Sequence, residues 1–91
     1  MIKSFCHQGL TRFWNSNDKK GLPVKNTAKV ARILDMLDTA TQPNAMNVIG
    51  WDFHELKGRR AGVYAVTVTG NWRITFEWDG GAVRVNIEDY H

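Results

Sequence analysis

Between residues 63 and 91 the chain alternates apolar and polar side chains in three runs separated by short glycine-bearing turns. In Trp72-Arg73-Ile74-Thr75-Phe76-Glu77-Trp78 every second residue is apolar, the period-two pattern that sends one set of side chains to a core and the other to water. Gly70-Asn71 before this run and Asp79-Gly80-Gly81 after it are tight-turn signals, because glycine takes positive φ without steric cost. The flanking runs agree. Tyr64, Val66 and Val68 form an apolar face backed by Val63, Ala65 and Thr67, while Val83, Val85 and Ile87 alternate with Arg84, Asn86 and Glu88. The pattern predicts a three-stranded antiparallel meander with one greasy face and one more polar face, the latter carrying Arg73, Thr75, Glu77, Arg84 and Asn86.

Upstream the period changes. Leu10, Phe13 and Trp14 recur at helical spacing and predict a short helix over 7–15, with Gly9 weakening its first turn. The polar run 15–21 reads as a loop. A clearer helix is predicted over 26–39, where Val30, Ile33, Leu34 and Leu37 form a stripe at i, i+3, i+4 and i+7. Lys25, Lys29, Arg32 and Asp35 opposite that stripe read as a solvated helix face. Thr41 is a candidate cap for a brief turn containing Pro43, and 48–56 returns to extended alternation. Residues 2–5 fit a short edge strand. Two helices followed by strands give an α+β fold, one domain over 1–91 with N-terminal helices packed on one face of a small antiparallel β-sheet and the other face open.

Composition narrows the partners. A chain of 91 residues buries roughly 60 to 65% of its unfolded surface, so four Trp and four Phe carry much of the core and little is left for a deep pocket. The net charge of +3 and pI of about 9.3 favour an acidic partner, with nucleic acid first. One cysteine, Cys6, makes no internal disulfide and reads as a small buried residue in a reducing compartment. Residues 1–5 lack a signal-peptide core, and no apolar run approaches the roughly 18 residues that span a bilayer. The expectation is a soluble, cytoplasmic protein with no membrane partner.

The open polar face, flanked by Lys57, Arg59, Arg60, Arg73 and Arg84, is a candidate cradle for a phosphate backbone. The sharper constellation is His54, Lys57, Arg73, Asp89, Tyr90 and His91. Cleaving RNA without a metal needs a base for the 2′-hydroxyl proton, an acid for the departing 5′-oxygen, and cations for the dianionic phosphorane. Histidine suits proton transfer because its reference pKa of about 6.5 lets both forms exist near neutrality. Arg73 can grip phosphate in a fork, Lys57 can act as a point charge, and Tyr90 can stack on a base or share in proton transfer. Each of these residue types is also common as a solvated charge or as packing, and the same basic sheet would serve a non-catalytic RNA- or ribosome-binding protein. A metal site built from His54, Asp89 and His91 is the other reading, but the spacing matches no strong zinc signature and Lys57 and Arg73 oppose a cation. The expectation is therefore no metal and no cofactor.

The segments Phe53-His54-Glu55-Leu56-Lys57-Gly58, Gly70-Asn71-Trp72-Arg73-Ile74-Thr75-Phe76 and Glu88-Asp89-Tyr90-His91, in that order, closely resemble the HigB (host inhibition of growth) toxins of the RelE-like superfamily. Met1-Ile2-Lys3-Ser4-Phe5 and Leu37-Asp38-Thr39-Ala40-Thr41 extend the resemblance over essentially the whole chain. It implies a microbial-RNase-like fold and a type II toxin that cuts messenger RNA in the decoding site of a translating ribosome, by 2′-hydroxyl attack and without metal. It also implies a cognate helix-turn-helix antitoxin of the HigA kind. By the resemblance His54, Asp89, Tyr90 and His91 are the catalytic group and Lys57 and Arg73 the cationic positions, with base and acid unassigned. Glu55 stands where many relatives have Pro, and Val63-Tyr64 differs from the usual pair, which bears on rim shape and codon preference.

Overall fold

The computed structural model describes residues 1–89. Its elements run α1 (Gln8–Ser16), α2 (Thr27–Thr39), β1 (His54–Glu55), β2 (Tyr64–Thr69), β3 (Trp72–Trp78) and β4 (Ala82–Asp89), with short 3-10 turns at Pro43–Met46 and Gly58–Arg60. The strands form one sheet in the order β1-β2-β3-β4, each neighbouring pair antiparallel. The expected meander and both helices are present. Residues 2–5 lie along the outer edge of β4 as isolated parallel bridges, Ile2 to Ala82 and Phe5 to Val85, rather than as a continuous strand. The Lys3 and Cys6 amides donate to the carbonyls of Ala82 and Val85 at 2.7 and 2.8 Å, so the edge does not present a bare ladder. Cys6 itself is exposed, contrary to the buried reading, because it sits on this outer segment.

The α2 stripe behaves as its spacing requires. Val30, Ile33, Leu34 and Leu37 are all buried and join Val66, Ile74, Phe76, Val85 and Ile87 of the sheet, with Leu10 and Phe13 of α1, in one core cluster. Each such side chain contributes about 1.5–3 kcal/mol when fully withdrawn from water. Asn26 caps α2 by accepting from the Lys29 amide at 3.2 Å. His7 caps α1, its Nδ1 accepting from the Leu10 amide at 3.3 Å, so this histidine has a structural task. Thr41 does not cap the following turn; the cap position is Gln42, which makes no side-chain bond, with Pro43 beginning the turn.

Gly9 does more than weaken a helix. The loop after α1 folds back so closely that a Cβ on Gly9 would stand 2.1 Å from the Gly21 carbonyl oxygen, and one on Gly21 would stand 2.8 Å from the Gly9 Cα. Backbone opposes backbone here, so no rotamer change relieves the clash. Gly9→Ala is expected to lower stability by about 1–3 kcal/mol, the usual cost of overpacking, read as a drop in melting temperature.

One residue changes which side chains line the sheet. Between the pairs Thr75 with Asn86 and Glu77 with Val83, β4 spends one residue more than β3. The extra residue is absorbed as a bulge, with Arg84 at φ 49, a left-handed conformation rare outside glycine. The slip turns Val83 to the face opposite Val85 and Ile87, whereas strict alternation had put the three together. Val83 is accordingly buried but outside the main core cluster.

Candidate active site on the open sheet face

The face without helices is neither bare nor uniformly basic. Ala65, Thr75 and Val83 face it by register, and Leu56 follows His54 by two residues; all four are buried, yet none belongs to the main cluster. They form a small apolar floor. Two charged pairs stand on this face. Arg60 Nη1 and Nη2 donate to the two carboxylate oxygens of Glu88 at 2.8 and 2.7 Å, and Arg84 Nε and Nη2 to those of Glu77 at 2.7 Å each. Fork-to-fork pairing of this kind fixes direction as well as charge. Two of the five cations expected to meet phosphate thus have their forks closed on carboxylates, because acidic residues sit within reach on the same face. Lys57 and Arg59 are exposed and take part in no ion pair among the described residues.

Glu88 is the best-satisfied carboxylate of the site. Besides Arg60 it accepts the Thr75 hydroxyl at 2.5 Å. The Arg60 hydrogen bonds hold its pKa below the ordinary carboxylate value, against partial burial, with Thr75, the charge of Arg60 and Asn86 adding to the lowering. A carboxylate whose pKa is depressed on folding contributes stability above its unfolded pKa, and that contribution is lost as pH falls through the folded value. Urea unfolding followed from pH 7 downward should show stability declining below about pH 4.3, with Glu88→Gln removing part of the decline. The effect is modest because the pair is partly open to solvent.

His54 lies in one cross-strand row with Ala65, Thr75 and Asn86, which places it on this face. Its ring is held by a local device. Asp52 takes φ 49, a conformation that Asp tolerates better than most residues, and its carbonyl oxygen lies 2.8 Å from His54 Nδ1. A carbonyl only accepts, so Nδ1 carries a proton, and in the neutral ring Nε2 is then the nitrogen with the lone pair. The extended run expected over 48–56 is broken by a turn at residues 49–50, where Gly50 takes φ 89, and by this kink, which leaves the two-residue β1. Asp52 is a residue the sequence analysis passed over; an Asp two positions before a histidine was the available signal.

Arg73 sits on the same face, two strands across from His54 and two residues further along, or roughly 12 Å between Cα atoms at ordinary strand spacing. Its Nη1 donates to the carbonyls of Gly70 at 2.8 Å and Trp72 at 3.3 Å. These bonds tether the guanidinium at the β2–β3 turn while its Nε is buried without a hydrogen-bond partner. Asp89 is exposed at the end of β4 opposite Trp72, so by alternation Glu88, not Asp89, shares the face of His54. Tyr90 and His91 lie outside the described residues. Among the described residues no group of His, Cys, Asp and Glu is close enough to hold a metal ion, and no helix is long and apolar enough to cross a membrane.

A two-helix layer on one side of a four-stranded antiparallel sheet, with a half-buried histidine and a tethered arginine on the other side, defines an α+β protein whose open sheet face is a candidate surface for a polyanion. Comparison with known proteins gives that surface a context. Residues 3–91 match the family described as RelE-like toxin of type II toxin-antitoxin system HigB. A curated relative, "Endoribonuclease HigB" of Proteus vulgaris, is 40% identical over 92 residues, covering 100% of both chains. The chain belongs to the RelE-like HigB toxins of type II toxin-antitoxin systems, and membership implies a cognate antitoxin as partner.

Proposed function

We propose that the protein is a ribosome-dependent endoribonuclease that cuts messenger RNA by attack of a 2′-hydroxyl on the adjacent phosphate, without metal, and so arrests translation. The observation that carries the reading is the state of His54, with Nδ1–H committed to the Asp52 carbonyl and Nε2 free on the face that holds Arg73. That tautomer is the one a general base needs. Nε2 removes the 2′-hydroxyl proton, the 2′-oxygen bonds to phosphorus, and the bond to the 5′-oxygen breaks. The departing oxygen takes a proton from an acid supplied by the Asp89-Tyr90-His91 group, and the products are a 2′,3′-cyclic phosphate and a 5′-hydroxyl. Arg73, Lys57 and Arg59 offset the negative charge that gathers on the phosphorane. The naming of a 40% identical relative as an endoribonuclease supports cleavage of RNA as the reaction.

The ribosome enters through geometry. Two surface hollows among the described residues, lined by residues such as Phe13, Trp14 and Asp35 or Lys29, Arg32 and Trp51, include neither His54 nor Arg73. An open site of this kind supplies proton transfer and charge but little to align an RNA strand for in-line attack, and alignment is worth several orders of magnitude in rate. A decoding ribosome presents the strand already ordered. The partner antitoxin is of the helix-turn-helix, HigA-like type, and the toxin acts in the cytoplasm, where ribosomes are. In a reconstituted translation reaction with a defined message, the protein should cut within codons on ribosomes and leave the same RNA intact when free. Equal cutting of free RNA would refute the dependence, and no cutting in either case would refute the activity.

A further inference from the structure

Arg73 and Glu88 are direct cross-strand partners on β3 and β4, a placement that brings Cβ atoms to about 4.5–5.5 Å and normally favours an ion pair. They do not form one. Glu88 gives both oxygens to Arg60 and takes the Thr75 hydroxyl. Arg73 turns Nη1 to two backbone carbonyls, keeps a buried Nε without a partner, and forms no ion pair among the described residues. The carboxylate nearest in register to Arg73 has therefore been taken by an arginine from a different part of the chain, six residues after His54.

We infer that Arg60 is a positioning residue that holds the Glu88 carboxylate away from Arg73, so that the Arg73 charge stays uncompensated for an RNA phosphate. This rests on the endoribonuclease reading, in which Arg73 meets the reacting phosphate. An ionised carboxylate has about four acceptor positions, and three of those on Glu88 are filled by Arg60 and Thr75. Thr75 is buried in β3 and fixes one oxygen; Arg60 supplies the charge that outcompetes Arg73. Remove Arg60, and the Glu88 carboxylate loses two of its donors while facing an uncompensated guanidinium on the adjacent strand. The two will pair, and the phosphate will find Arg73 occupied.

The test is a cycle of variants assayed for single-turnover cleavage of ribosome-bound message, with Glu88 followed by carboxyl NMR titration. Arg60→Met keeps an unbranched apolar stem and removes the charge. It should slow cleavage by roughly tenfold or more, the scale of one charge-assisted contact to the transition state. Adding Glu88→Gln should restore the rate to near that of the parent, since no carboxylate is left to capture Arg73. If the double variant is as slow as Arg60→Met, Arg60 acts by touching RNA or by supporting the fold, and the inference is overturned; an undiminished rate in Arg60→Met overturns it as well. The titration stands apart from catalysis. In folded Arg60→Met, Arg73 should help Thr75 and Asn86 hold the Glu88 pKa down, so that adding Arg73→Ala raises it by more than Arg73→Ala does in the parent. A Glu88 pKa that responds to Arg73→Ala no more in Arg60→Met than in the parent would sink the exchange of partners. Should Arg60→Met not fold, Arg60→Gln carries the same cycle and the same titration. Should the parent cut no message, the endoribonuclease reading fails, while the titration still decides whether Arg60 shields Arg73.

Discussion

A His54→Ala protein is expected to melt with the parent and to cut ribosome-bound message about 10²- to 10⁴-fold more slowly, the usual contribution of one general base. The fold should tolerate the change because His54 belongs to a two-residue edge strand and lies outside the main core cluster. Its one side-chain hydrogen bond among the described residues goes to the Asp52 carbonyl in the same segment. The rate should not tolerate it, because without the imidazole the 2′-hydroxyl has only water to accept its proton. Single-turnover cleavage checks the rate and circular dichroism checks the fold. A folded His54→Ala protein that cuts at the parental rate would remove His54 from the mechanism and leave the tautomer argument without a purpose.

Arg73→Lys should cost about 10²- to 10³-fold in cleavage, comparable to losing one preorganised donor to a developing anion. The substitution keeps the charge, so a loss would show that geometry is at stake. Arginine presents its donors in a planar fork, and two of the ties that aim that fork are the bonds from Nη1 to Gly70 and Trp72. A lysine ammonium on a flexible stem can satisfy those carbonyls or a phosphate, but it does not hold several donors in one plane. Binding of the message to the programmed ribosome should change far less than the rate of the cleavage step. Equal effects on binding and on rate would mean that Arg73 serves as a general attractant for RNA.

What the sequence showed and what it hid divide along a physical line. The α2 stripe, the alternation in β3 and the turns at Gly70 and Gly80 are local signals, each decided by residues within a few positions of one another, and the structure follows them. The sidedness of Arg73 followed from the same alternation, whereas that of His54 came only with the pairing of β1 to β2. Three features escaped because they depend on backbone states or on distant chain. The left-handed Arg84 shifts the register of β4 and sends Val83 to the open face, although Arg is not a residue that advertises positive φ. The kink at Asp52 shortens β1 and selects the His54 tautomer. The pairing of Arg60 with Glu88 joins residues 28 positions apart, so a local reading counted Arg60 as a cation open to RNA when its fork was already engaged. Arg84 and Glu77 repeat the lesson across a hairpin.

The central claim is that a 2′-oxygen attacks phosphorus with proton transfer by side chains. A message carrying a single 2′-deoxynucleotide on the 5′ side of the scissile phosphate, translated beside its all-ribose counterpart with the purified protein, tests that claim most directly. The all-ribose message should yield fragments ending in a 2′,3′-cyclic phosphate, paired with 5′-hydroxyl fragments, and the substituted message should remain whole at that site. Cleavage of the deoxy-substituted site at an undiminished rate, or 3′-hydroxyl and 5′-phosphate ends on the fragments, would show that water is the nucleophile and contradict the mechanism.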